Sequence, residues 1–149
     1  MSNHIISIGH NSYYISSFDN NLMLYELIWL PNTANMSEDD YKIAMLSDQN
    51  KLFNNYDVVN FLLLDNRDFL MTMSPELQEW SAKEITSEVM EANPQLKIAL
   101  VVSQDIFSRV SVSQAVEEDE TMDRVTHYFE NKEEAYDWIL SHHKKHNFS

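Results

Sequence analysis

Apolar and polar positions along this chain switch between two periods, and the switches mark its elements. Residues 12 to 18 (SYYISSF) and 22 to 30 (LMLYELIWL) are rich in β-branched and aromatic side chains and flank Asp19-Asn20-Asn21. They predict a β-hairpin, with residues 4 to 8 as a short edge strand ahead of it and Pro31 as the stop. The period then lengthens. Tyr41, Ala44, Met45, Leu52, Phe53 and Tyr56 recur at helical spacing behind Ser37, a suitable N-cap followed by Glu38, Asp39 and Asp40. This predicts a helix over 37–54 with negative charge at the positive end of its dipole. Val58 to Leu64 is nearly continuous apolar sequence, as in a strand covered on both faces.

A second helix is expected to open at Ser74 and run to Ala92, burying Ala82, Ile85, Val89 and Ala92 as one stripe before Asn93-Pro94 stops it. Leu96 to Val102 (LKIALVV) reads as another buried strand, followed by a helix over 105–120 and a strand over 124–129. Asn131 caps the last helix, with Ala135, Trp138 and Ile139 inward and the His/Lys tail fraying. The order β-β-α-β-α-β-α-β-α implies an α/β fold with a mixed, mostly parallel central sheet and an N-terminal hairpin. No repeat or linker divides it, so a single domain over 1–149 is expected, with 1–11 as an extension or edge strand and 142–149 as a frayed tail.

Composition narrows the chemistry. The net charge of -14 disfavours nucleic acid and anionic membrane surfaces, which need a basic patch. The short run His142-His143-Lys144-Lys145-His146 does not offset it. No apolar run approaches the roughly 20 residues of a membrane-spanning helix, and residues 1 to 12 do not resemble a signal peptide. A soluble cytoplasmic protein is expected. The absence of cysteine removes disulfides, thiolate catalysis and iron–sulfur clusters. A single glycine, Gly9, leaves no phosphate-cradling loop. Asparagines at Asn20-Asn21, Asn54-Asn55 and Asn93 are expected to take the turn positions, since asparagine tolerates positive φ.

Candidate sites gather where strands end. Asp65-Asn66-Arg67-Asp68 follows the 58–64 strand, the end at which open α/β sheets bind ligands. Arg67 there suits a two-pronged contact with a carboxylate or phosphate; the plainer alternative is an ion pair of Asp65 with Arg67 that ties the loop down. Ser74, with Pro75 and Glu76, is first of all a helix cap. On an ideal helix Trp80 lies opposite the Ala82 stripe with Leu77 on its side, which suggests either an outward binding or dimer surface or a Trp80 packed under the 66–73 loop. Ser103, Ser108, Ser111 and Ser113 either line a small polar pocket or cap the 105–120 helix, with Ser103 or Asp105 as the N-cap. His142 and His146 have a metal-compatible spacing but lie in the tail, where cations suit a helix end. No nucleophile with a base is legible, and no metal or cofactor is expected.

The residues Leu64-Asp65-Asn66-Arg67, Pro75-Glu76-Leu77-Gln78-Glu79-Trp80 and Val101-Val102-Ser103-Gln104-Asp105-Ile106-Phe107 together resemble the STAS-like family of bacterial anti-sigma-factor antagonists, in particular its small stand-alone members. The resemblance covers roughly residues 12 to 140. It implies a STAS-like fold and a non-enzymatic regulatory or protein-interaction module. It also places Ser74 near the position that a partner kinase phosphorylates in the antagonists, although Met73 and Pro75 stand where their motif has aspartate and glycine. The expected working surface is therefore Asp65, Arg67, Asp68, Ser74, Leu77, Trp80 and Ser103, facing an unknown protein partner or a second copy. A small-molecule site in the strand-end crevice around Asp65, Arg67 and Ser103 is the alternative.

Overall fold

A computed structural model describes residues 4–148, with side chains to residue 145. Three strands come first: β1 (Ile5–His10), β2 (Tyr14–Asp19) and β3 (Leu24–Trp29). A 3-10 turn (Pro31–Asn35) leads into α1 (Glu38–Asn55), then β4 (Phe61–Asp65). An interrupted helix follows: α2 (Pro75–Ser81), a π turn (Ala82–Thr86) and α3 (Ser87–Ala92). The chain closes with β5 (Lys97–Val101), α4 (Ile106–Glu117), α5 (Glu120–Val125), β6 (Thr126–Phe129) and α6 (Lys132–Phe148).

The six strands form one mixed sheet in chain order, β1-β2-β3-β4-β5-β6. The first three pair antiparallel and the rest are parallel. The expected edge strand is thus real, and it reaches further than residue 8. Its register against β2 slips between Ser7 and Gly9, a bulge at Ile8. Helices α1 to α4 cover one face over Phe18, Tyr25, Leu27, Trp29, Ile98 and Leu100. Helix α6 covers the other, with Ala135 and Ile139 against Leu24, Phe61, Leu63 and Val101.

Local chemistry explains most boundaries. Ser37 accepts the Asp40 N–H while the Asp40 carboxylate accepts the Ser37 N–H, a reciprocal capping box. Asp105, rather than Ser103, caps α4 by accepting from Ser108 N–H at 2.9 Å. Residues 124 and 125 are helical instead of opening the last strand, because Asp119 accepts the Met122 N–H at 3.0 Å and starts α5. The terminal helix also continues through His142 to Lys145 and on to Phe148 rather than fraying there. The His146 side chain and residue 149 lie outside the described residues, so the His142–His146 pair does too.

Asn20 and Asn21 take the hairpin turn and Asn93 ends α3, as expected, whereas Asn54 and Asn55 lie inside α1 and the positive-φ reason fails. Among the described residues the non-glycine with positive φ is Met23, at 53°, and no asparagine shares it. The Asp19 carboxylate makes the hairpin turn by accepting the N–H groups of Asn21 and Leu22. Met23 then turns its carbonyl toward the start of β4, where Asn60 and Phe61 N–H groups donate to it. Satisfying that carbonyl outweighs the preference for asparagine at this angle.

Candidate functional site

The strand-end tetrad is held tightly in place. Asp65 is buried, and Arg67 donates Nε to its Oδ1 at 2.9 Å and Nη2 to its Oδ2 at 2.7 Å. These bonds raise the Arg67 pKa above its ordinary value, with the nearby carboxylate charge adding to them. Lys132 of α6 bridges Glu26 at 2.5 Å and Asp65 at 3.8 Å. Asp68 is exposed, and its carbonyl accepts from Thr33 Oγ1, which in turn accepts the Leu70 N–H. Ser103 is buried and donates to the Phe69 carbonyl at 2.8 Å. Phe69 itself packs on Trp29 with ring centroids 4.9 Å apart. Asp65 and Ser103 are therefore engaged inside the protein, Arg67 holds Asp65 from the exposed side, and neither Asp65 nor Arg67 lines either concavity beside Asn66.

Helix α2 departs from the expected face. Leu77 is 0% exposed and belongs to the core, and Trp80 is half-buried. The Trp80 ring meets Tyr41 edge-on at 6.4 Å, and Lys42 Nζ lies 5.4 Å from its centroid. The cause is the π turn, in which the Ser87 N–H bonds to Ala82 O, five residues back. One added residue turns the following face by roughly 100°. Leu77 and Val89 thereby share the buried side, while Ala92 of the expected stripe is exposed and Met90 replaces it. Ser74 accepts the Leu77 N–H at 3.1 Å, as its helix-cap reading requires. Next to it the Met73 N–H donates to Ser111 Oγ of α4 at 3.0 Å.

A polar cluster absent from the sequence reading lies in the core. Asp48 of α1 is 3% exposed. Its Oδ1 accepts from Tyr14 at 2.8 Å; its Oδ2 accepts from Ser16 and Tyr25, each at 2.5 Å. Burial, together with the carboxylate, pushes the Tyr14 and Tyr25 phenols well above their ordinary pKa. Gly9 crosses directly above. A Cβ there would collide with Asp48 Oδ1 and come within 2.6 Å of the Tyr14 hydroxyl. The spacing of Tyr41, Ala44, Met45 and Leu52 already puts Asp48 in the buried stripe, and that was the available signal.

Two concavities flank Asn66. One, of about 130 Å³, lies between the sheet and α1 to α4 and is apolar, lined among others by Leu62, Leu64, Met45, Ile85 and Ala115. The other, of about 190 Å³, is the strand-end crevice, where Ser103 and Ser113 meet Arg109 and Tyr128. On the outside of α4 three large apolar side chains face solvent: Ile106 at 68%, Phe107 at 73% and Val110 at 50% exposure. Their signal was the run Ile106-Phe107 beside an N-cap, with Val110 one turn on. Among the described residues no three His, Asp or Glu side chains gather as a metal site, and no helix is long and apolar enough to cross a membrane. Comparison with protein-family models, curated proteins and solved structures finds no match to this chain.

Proposed function

We propose that this chain is a non-enzymatic, STAS-like interaction module whose docking surface is the outer face of α4. The observation that carries this reading is the exposure of Ile106, Phe107 and Val110 together on the first turns of one helix. Large apolar side chains grouped on a surface mark contact sites more reliably than scattered ones do. Ile106 and Phe107 also end the Val101-to-Phe107 segment on which the family resemblance rests. This moves the working surface away from Leu77, which is core, to a helix that the segment before Ser74 holds from its buried side, through the Met73 N–H bond to Ser111. The occupant that fits is a protein with an apolar centre and a basic rim, because Asp105, Glu117 and Glu118 bound α4 in a chain of net charge -14, and the one cation within the patch, Arg109, is paired with Glu130.

The test is affinity capture from the native cell followed by binding of the purified partner to variants. Phe107→Asp should reduce binding at least tenfold, and Ile43→Asp, an exposed apolar site on α1, should leave it unchanged. Ser74→Asp, which keeps an N-cap, separates the switch from the surface: reduced binding supports a phosphorylation switch, and unchanged binding removes it. Equal binding by wild type and Phe107→Asp overturns the α4 surface. Sedimentation of the chain alone decides whether that partner is a second copy.

A further inference from the structure

Strand β4 sits in the middle of the sheet beneath a helical layer, yet Leu62 and Leu64, which point into that layer, are only half-buried. Both line the apolar cavity of about 130 Å³. Interiors otherwise pack as densely as organic crystals, so a void of this size at the centre of a sheet is a departure needing a cause. The π turn supplies part of it: Ser81, Ile85 and Thr86, in and beside that turn, form one wall. Such turns recur at functional sites.

Several of the wall's polar groups are already paired. Asp48 and Tyr25 bond to each other, and the Tyr41 and Ser81 hydroxyls pair at 3.2 Å. Among the described residues the buried side-chain polar atoms without a partner are Asn66 Oδ1 and Ser108 Oγ, and of the two residues Asn66 lines this cavity, as it also lines the strand-end crevice. Asn66 is 5% exposed, and its backbone is fixed by bonds to Val101 O and from Phe69 N–H. A buried acceptor left without a donor is costly, and a bound group that donates to it removes the cost.

We infer that the cavity binds a small neutral organic molecule, about one aromatic ring in size, which donates a hydrogen bond to Asn66 Oδ1. The size follows from comparison: an apolar void of roughly 150 Å³ holds benzene. The lining offers a charged ligand no partner, since no cationic side chain reaches it and both oxygens of Asp48, its one carboxylate, already accept from Tyr14, Ser16 and Tyr25. The site is separate from the α4 docking surface and does not depend on it.

Phenol and toluene, alike in shape but differing in the donor, are the probes. Methyl NMR of Leu62, Leu64, Met45 and Met90 should show saturable shifts, with phenol at least tenfold tighter than toluene. Leu63 and Ile139, on the opposite face, should not respond. Asn66→Leu, close in shape, should abolish the phenol advantage, keep toluene binding and raise the melting temperature. Leu64→Phe should fill the void and remove both. If that variant misfolds, Asn66→Leu still decides. No saturable shift, shifts shared with the opposite face, or a phenol preference that survives Asn66→Leu would each overturn the inference.

Discussion

Tyr25, on the sheet, and Asp48, on α1, are joined by one short hydrogen bond inside the core, Oη to Oδ2 at 2.5 Å. Ser16 shares the same oxygen and Tyr14 takes the other, so a buried carboxylate is solvated by three protein hydroxyls. Replacing it removes their common acceptor. Asp48→Ala should lower stability by about 2–4 kcal/mol, the cost of buried donors left unpaired less the relief of burying no charge. Urea unfolding measures it; an unchanged midpoint would mean that the carboxylate's own desolvation cancels its bonds.

Gly9→Ala should cost about 1–3 kcal/mol, because the added methyl overpacks against Asp48 and the Tyr14 ring. The penalty should shrink in an Asp48→Ala background, since the two sites share atoms and neighbouring effects do not add. A double-mutant cycle by urea unfolding tests the coupling, and additive losses would place the strain elsewhere.

Alkali should unfold the protein through its tyrosines. Burial raises Tyr14, Tyr25 and Tyr41 above the ordinary value of 10.0, and Asp48 adds to the first two. In the unfolded chain these phenols ionise near pH 10, whereas the folded chain keeps its protons. Their contribution is therefore complete below about pH 10 and is lost as pH rises toward the folded values, at roughly 1.4 kcal/mol per pH unit for each. Melting temperature against pH should be flat in mild alkali and fall beyond it, with phenolate absorbance of these residues appearing on unfolding.

The π turn sets up a contrast between two sites on one helix. Leu77→Ala should cost about 2–5 kcal/mol as a fully buried leucine. Ala92→Glu, at an exposed position, should stay within about 0.5 kcal/mol. Thermal melts of the pair give the answer, and a straight helix with the Ala82-to-Ala92 stripe inward would reverse it.

Arg67→Ala should lower stability by about 1–3 kcal/mol. It strips both oxygens of buried Asp65 of the guanidinium, but the backbone N–H of residue 67 still donates to Oδ1 at 3.3 Å, the Arg67 side chain is itself nearly half exposed, and Lys132 stands 3.8 Å from Oδ2. Lys132→Ala added to it should cost more than either alone. Chemical denaturation of the single and double variants measures both.

Periodicity carried the fold because most of the expected strands and helices bury a face that repeats along their own segments, the 74–92 helix being the departure. Ser37, Ser74 and Asn131 could be read because their caps close within a few residues; Asn131 Oδ1 accepts the Glu134 N–H at 2.9 Å. What escaped depends on contacts between distant segments. Asp48 is polar at a core position because Tyr14, Ser16 and Tyr25 converge on it from two other strands, which spacing within α1 does not reveal. Leu77 faces inward through one extra residue in a helical turn, and that residue has no signature such as proline or glycine. Asn66 was noted within the tetrad, but its neighbours Asp65 and Arg67 carried the charge and drew the chemical reading. The apolar turn at Ile106 and Phe107 reads as core by composition, and its exposure is set by where α4 lies.

Spatial order and chain order coincide in this sheet, so every strand is laid beside the one made just before it. Only the two antiparallel pairings join near neighbours in sequence; the three parallel ones reach across helical crossovers, Leu24 to Phe61, Phe61 to Lys97 and Ile98 to Thr126, and are the slower to form. The last face to close is the one under α6. Leu24, Phe61, Leu63 and Val101 must wait for Ala135 and Ile139, residues translated after the whole sheet. During synthesis that greasy side stays uncovered longest, and it is there that a chaperone would find the nascent protein most in need of a hand.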